Sequence, residues 1–339
     1  MRALFIGGTG LISSAVSRLA VERGIDLTLL NRGGKGEFFP RGARQVVADH
    51  RDPAAVRQAL KGRSFDVVAD WIAYTPAHAS QDIELFSGRT GQYLFISSAS
   101  AYQKPATHWL ITESTPLANP FWQYSRDKIA CEELLLREYR DKGFPATIVR
   151  PSLTYGLTQI PAAVGSWNHP WTLIDRMRRS RRIVVPGDGA SLWTMTHNSD
   201  LARGFVGLMG NAHAIGHAFH ITSDEVLTWN QIYGLIGEAA GARPELVHIA
   251  SDLIAAFNPD DLGNLIGDKA QCGVFDNAKI KTFVPGYVAT VPFAEGIRAS
   301  VQWFEHHPDR CTIDTEFNTR CDRMIEANDA ALRAAGAPR

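Results

Sequence analysis

A chain of 339 residues that is 45% hydrophobic and 21% charged can bury a sizeable core, as two domains or one large one with an appended part. Its formal net charge of +0 argues against a polyanion partner or a membrane surface. Cys131, Cys272, Cys311 and Cys321 include no short-spaced pair, which argues against a disulfide framework or a zinc site and suits a reducing cytoplasm.

The chain passes from Met1-Arg2 straight into Ala3-Leu4-Phe5-Ile6, leaving no room for a signal peptide, and no apolar run approaches the roughly 20 residues of a membrane helix. That first run is wholly apolar and reads as a strand buried on both faces. Gly7-Gly8-Thr9-Gly10-Leu11-Ile12-Ser13 follows, then a helix from Ser14 closed by Gly24, then a strand from Ile25 to Leu30. Strand, glycine turn, helix and strand in this order form the unit that sets a pyrophosphate on a helix N-terminus. After the second strand an acidic residue would bind a ribose 2′-hydroxyl; Asn31 and Arg32 stand there instead. Arg32, with Lys35, can pair with a 2′-phosphate, so NADP is the expected cofactor and NAD the alternative.

Asp52-Pro53 predicts the cap and first residue of a helix. Phe65–Ala69 and Gln92–Ile96 read as further buried strands. Asp70 to Tyr74 follows one and the hydroxyl cluster Ser97 to Tyr102 the other, at strand ends that face the ligand crevice of an open parallel sheet. Tyr124 and Lys128 precede a helical pattern, and their i, i+4 spacing puts both on one helix face. An ammonium beside a phenol lowers its pKa from about 10, which makes the pair a general acid/base. Taken alone the spacing is common, and its plain reading is a packed tyrosine beside a solvated lysine.

Gly7-Gly8-Thr9-Gly10, Ile96-Ser97-Ser98-Ala99-Ser100-Ala101-Tyr102, the Tyr124/Lys128 pair and Arg150-Pro151 through Tyr155-Gly156 occur in one chain, in order. Together they resemble the extended short-chain dehydrogenase/reductases of the NAD-dependent epimerase/dehydratase family. The resemblance runs to about Pro308, with Ser13 where that family usually has a third glycine. It implies an α/β fold: a Rossmann-type doubly wound parallel sheet over residues 1–155, to which later segments return, and a smaller C-terminal substrate-binding domain with a tail over 156–339. It also implies Ser98 as the catalytic serine, with Ser97 and Ser100 as rivals, Tyr124 as the proton donor and acceptor, and Lys128 as the group that lowers the tyrosine pKa and holds the nicotinamide ribose. Cofactor contacts are implied for Gly7, Thr9, Gly10, Leu11, Ile12, Asn31, Arg32, Asp49, His50, Ile72, Tyr124, Lys128 and Pro151. Substrate contacts are implied for Ser100, Tyr102, Leu153 and Trp193.

Ala99 stands where the family's dehydratases and decarboxylases carry an acid, which disfavours those reactions and leaves epimerisation, oxidation or reduction. Leu153 and Trp193 stand where its nucleotide-sugar enzymes place diphosphate-binding asparagine and arginine. The substrate is therefore expected to be something other than a standard UDP- or TDP-sugar, or to be held differently. The basic run Arg176–Arg182 reads as a solvated helix end, and the histidines show no metal-ligand spacing, so no metal is expected. The function read from the sequence is an NAD(P)-dependent oxidoreductase or epimerase acting on a hydroxyl of a sugar or sugar-like substrate. The alternatives are an NADPH-dependent reductase of a small carbonyl compound, and a non-catalytic cofactor-sensing or RNA-binding member. The partners expected are a sugar-like small molecule and a second copy of the chain, a homodimer joined through the Tyr124 helix and the helix before the serine strand, with no nucleic acid and no membrane.

Overall fold

Apolar strands alternate with helices as far as Arg150, and the computed structural model, which describes residues 1–34 and 36–336, assembles them into one twisted sheet. In chain order these are β1 (Arg2–Ile6), α1 (Ser13–Glu22), β2 (Asp26–Asn31), β3 (Arg44–Val47), α2 (Pro53–Ala59), β4 (Phe65–Asp70), α3 (Pro76–Phe86) and β5 (Thr90–Ile96). The short β6 (Leu110–Ile111), which lies outside that sheet, the long α4 (Gln123–Lys142) and β7 (Ala146–Arg150) complete the series. Ala3 to Ile6 of β1 are all 0% exposed, the double-faced burial that the unbroken apolar run calls for. The α2 cap is as expected: the Asp52 carboxylate accepts from the amides of Ala54 and Ala55, both at 3.0 Å, with Pro53 in the first turn.

The second half begins with β8 (Thr154–Tyr155), α5 (Trp171–Arg178), β9 (Ile183–Pro186), β10 (Leu192–Trp193), β11 (Thr196–His197), α6 (Asn198–Leu208) and β12 (Ala218–His220). β12 pairs in parallel with β7, giving a seven-stranded sheet in the order β12-β7-β5-β4-β1-β2-β3, with every pairing parallel. α6 packs on α1, and Leu201, Phe205 and Leu208 share one core with Phe5, Val16 and Leu29. The chain thus leaves the sheet after Arg150 and comes back to it at the α6–β12 segment.

β13 (Leu227–Thr228), α7 (Trp229–Ala240), β14 (Leu246–Ile249), α8 (Ser251–Phe257), a π-helix over Leu262–Lys269, β15 (Val274–Phe275), α9 (Ala278–Phe283), α10 (Phe293–His306) and α11 (Thr315–Ala334) follow. A second core gathers Trp193, Trp229, Ile232, Tyr233, Phe293, Phe304, Phe317 and Met324. Each side chain of this size that is fully buried contributes about 1.5–3 kcal/mol. The basic run around α5 is only in part a solvated helix end: Arg179 is 70% exposed and pairs with Asp175 four residues back, but other members are engaged with distant chain. Arg176 is 1% exposed and donates to Asn318 Oδ1 and Asp322 Oδ1, both at 3.0 Å, while Arg182 pairs with Asp329 at 2.7 Å. Arg176 and Arg182 clamp α11 against α5 and the strand that follows it; their partners on α11 lie more than a hundred residues away, beyond the reach of a local charge pattern.

Candidate active site

The glycine turn after β1 needs its glycines. Gly7 and Gly8 have φ of +91° and +100°, and a Cβ on Gly8 would lie 2.7 Å from Leu29 Cδ2. Ser13 does more than allow close packing: its hydroxyl accepts from the Gly10 amide at 2.9 Å and fixes the turn at the head of α1. Two cavities flank this turn. One, of 270 Å³, is lined by Gly7, Asn31, Arg32, Asp49, His50 and Ile72. The other, of 610 Å³, is lined by Thr9, Gly10 and Leu11. Ile12 packs instead against the core below α1. Lys35 lies outside the described residues.

Beneath the smaller cavity is a buried polar cluster. His50 Nε2 lies 2.7 Å from Asp82 Oδ1 and 3.4 Å from Asp70 Oδ2, and Tyr93 donates to Asp82 Oδ2 at 2.5 Å. Ligand atoms of His50, Asp70 and Asp82 all lie within 4.8 Å of one another, a grouping the sequence spacing hid. The 2.7 Å separation is that of a hydrogen bond. Burial, then the neighbouring Asp82, pushes the Asp70 carboxyl well above the usual carboxylate range. Asp70 Oδ1 accepts from the amides of Ile72 and Ala73, at 2.6 and 2.9 Å, and so sets the loop after β4.

A third cavity, of 650 Å³, opens beyond the carboxyl ends of β5 and β7. Ser98, Ser100, Tyr124, Pro151, Leu153 and Trp193 all line it, from four separate stretches of chain. The hydroxyls form a relay: Ser125 donates to Ser100 at 2.8 Å, and Ser100 and Ser98 lie 2.8 Å apart. Asn119, which sequence reasoning passed over, holds this wall by donating to the carbonyls of Ser100 and Gly267, at 2.8 and 2.7 Å. The rival Ser97 is turned away from the cavity and donates to the buried Glu132, which also receives Arg150 Nη2 at 2.6 Å. Tyr102 does not reach the cavity either. It is 0% exposed, with its hydroxyl 2.9 Å from His220 Nδ1 and its ring under the Arg150 guanidinium, so it serves the core and not a substrate. Trp193 stacks on Trp229, with ring centres 5.5 Å apart.

Tyr124 and Lys128 lie in the first two turns of α4, on one face as their spacing predicts. Burial pushes the Tyr124 phenol up to about 12, while the Ser98 hydroxyl beside it acts in the opposite direction. The Lys128 ammonium donates to the carbonyls of Ala73 and Ile96, each at 2.6 Å, and burial brings its pKa down to about 8. In this geometry burial is the largest influence on the phenol, and Ser98 opposes it.

The sequence profile described as the NAD dependent epimerase/dehydratase family matches residues 3–222. The chain is 26% identical over 292 residues to 2′-dehydrokanamycin reductase of Streptomyces kanamyceticus, covering 85% of this chain and 80% of that one. It is 29% identical over 262 residues to the chloroplast stem-loop binding protein of 41 kDa b of Arabidopsis thaliana, covering 73% of this chain and 65% of that one. The fold is similar to that of UDP-glucuronic acid 4-epimerase from Bacillus cereus, with a TM-score of 0.71 at 16% identity, over 90% of this chain and 99% of that one. That structure holds NAD, as do other solved epimerases and dehydratases of the same fold. These findings overturn the expectation of NADP. Arg32, on which it rested, is exposed and shares its cavity with the carboxylate of Asp49, an unfavourable neighbour for a phosphate.

Proposed function

The chain belongs to the NAD dependent epimerase/dehydratase family, and from that premise we propose how its cavities carry out the chemistry. It is an NAD(P)-dependent enzyme, an oxidoreductase or epimerase acting on sugar-like hydroxyls. We take the cofactor to be NAD. The left-handed glycines of the turn leave open a cradle that a Cβ would fill: at Gly7 a Cβ would meet Ile72 Cγ2 at 3.3 Å. Gly7, Thr9 and Gly10 would hold the pyrophosphate, with Asn31, Asp49 and Ile72 around the adenosine, and Lys128 and Pro151 toward the nicotinamide end. Bound there, NAD supplies the hydride acceptor and donor.

The observation that carries the reading is the meeting of Ser98 and Tyr124 on one wall of the 650 Å³ cavity. The Ser98 hydroxyl hydrogen-bonds the reacting oxygen and orients it. The Tyr124 phenol oxygen takes its proton when a hydroxyl is oxidised and returns it when a carbonyl is reduced. Lys128 fixes the floor of the site through Ala73 and Ile96. Ala99, a methyl group, offers no second acid for eliminating water, which leaves hydride exchange at a ring hydroxyl as the supported reaction. The reductase activity in the name of the Streptomyces relative favours the oxidoreductase form.

We assign residues 1–155 with the returning Asn198–His220 segment to the cofactor and the remainder to the substrate. The four free cysteines support a cytoplasmic setting; among the described residues no helix is long and apolar enough to cross a membrane. Pairing of two copies through α3 and α4 is proposed on the family resemblance. The test is hydride exchange between NAD and a sugar in the wild type that is lost in Tyr124→Phe with NAD binding retained.

A further inference from the structure

Lys104 is 4% exposed and lines the 650 Å³ cavity. Among the described residues, no hydrogen bond or ion pair holds its ammonium. The groups whose charges act on it are Asp268, Lys269 and Cys272. Lys269, the other lysine of the cavity, is already engaged, at 2.5 Å from Asn264 Oδ1 and 3.5 Å from Asp268 Oδ2. No arginine or histidine is among the described lining residues. The Lys104 stem is sunk in the cavity wall while its ammonium keeps contact with the open cavity, and a partly desolvated ammonium without a partner is suited to pair with an arriving anion. At the outer part of the same cavity Asp260 is exposed and Asp261 half-buried, and these acids oppose a polyanion more than a single anionic group.

We propose that Lys104 binds one anionic oxygen of the substrate, from a carboxylate or a phosphate, in the cavity that Ser98 and Tyr124 share. This rests on reading that cavity as the substrate site. The substrate class is then a sugar-like molecule with one acidic group, gripped at one end by Lys104 and presented by a ring hydroxyl to Ser98 and Tyr124. An ammonium on a flexible stem suits a point contact with either kind of anion. Trp193 and Leu153 provide apolar surface for the ring between.

The experiment is a fluorescence titration of the full chain as purified, read through Trp122, Trp167 and Trp193, which line the cavity. The ligands are D-glucuronate, glucose 1-phosphate and neutral glucose. At least one anion should bind about tenfold or more tightly than glucose. Lys104→Met should remove that preference and Lys104→Arg should keep it. Preference for glucuronate alone identifies a carboxylate, and for glucose 1-phosphate alone a phosphate. Wild-type protein with no preference for either anion, or Lys104→Met protein that keeps it, overturns the proposal. Lys104→Met should also melt at or above the wild-type temperature, because it removes a partly desolvated charge that has no partner; a lower melting temperature would assign Lys104 to the scaffold and overturn the proposal. The readouts are binding and stability, so failure here is separate from loss of hydride exchange in Tyr124→Phe.

Discussion

Lys128 Nζ lies 5.8 Å from the centre of the Tyr124 ring and donates to the carbonyls of Ala73 and Ile96. The Ala73 amide in turn is held by Asp70, so the buried acid cluster under the glycine turn positions the lysine through one residue of the loop. The pair is therefore built on two supports: helix α4 carries both residues, and the loop after β4 decides where the ammonium points.

A folded-state pKa of about 8 for Lys128, brought down by burial from the ordinary lysine value of 10.5, makes stability depend on pH. Between these values the unfolded chain holds a proton on this lysine that the folded chain has released, so stability rises with pH across that window. Urea unfolding of wild type and Lys128→Met from pH 7.5 to 10 should show the wild type gaining relative to the variant, on the order of 1 kcal/mol per pH unit above 8. A constant difference across the range would contradict the buried, poorly solvated ammonium.

The glycine turn separates two kinds of glycine. Gly8→Ala meets both a left-handed backbone and Leu29, and should cost about 1–3 kcal/mol in chemical denaturation. Gly10 is not left-handed and its nearest contact would be Ser13 Oγ at 3.4 Å, so Gly10→Ala should change stability by about 0.5 kcal/mol or less. Calorimetric titration should nevertheless find NAD binding weakened in Gly10→Ala, because its Cβ enters the ligand side of the turn.

Glu132 and Arg150 form a buried pair with three contacts between 2.6 and 3.1 Å, 1% and 5% exposed. Glu132→Gln leaves the guanidinium buried without a counter-charge. Equilibrium unfolding should show a loss of about 3–5 kcal/mol, far beyond that of an exposed pair. A loss under 1 kcal/mol would mean that the pair is not closed in solution.

Protein stripped of nucleotide should bind NAD at least about tenfold more tightly than NADP by calorimetry. Arg32→Ala should leave NAD binding within about threefold, because the reading gives Arg32 no phosphate to hold. Preference for NADP that disappears in Arg32→Ala would restore a role for the arginine as a 2′-phosphate partner.

The sheet and the hydroxyl wall were legible because their signals are local. The apolar run of β1, the glycine turn, the Asp52-Pro53 cap and the spacing of Tyr124 and Lys128 each sit within a few residues. The clamp of Arg176 and Arg182 on α11, the wall held by Asn119 and the unpaired Lys104 were not, since each is defined by chain far away in sequence. The π-helix over Leu262–Lys269 shows why. It closes the cavity against Trp122, where a Cβ on Gly263 would lie 2.3 Å from Trp122 Cδ1, a contact made by chain about 140 residues away. Tyr102 follows the family spacing but is drawn into the core by His220 and Arg150, and no local pattern reports that. The direction of Lys128 was hidden likewise, because its acceptors are backbone carbonyls, which carry no side-chain signature.

The most direct measurement is reduction of NAD at 340 nm by the wild type and by Tyr124→Phe, offered a panel of neutral sugars, uronates, sugar phosphates and nucleotide sugars, with NAD binding measured on both. The account predicts that at least one member reduces NAD or is converted to its epimer on the wild type, and that Tyr124→Phe slows that reaction by about a thousandfold while binding NAD as before. A Tyr124→Phe protein that reacts at the wild-type rate, or a wild type that binds NAD yet exchanges hydride with no member of the panel, would contradict it.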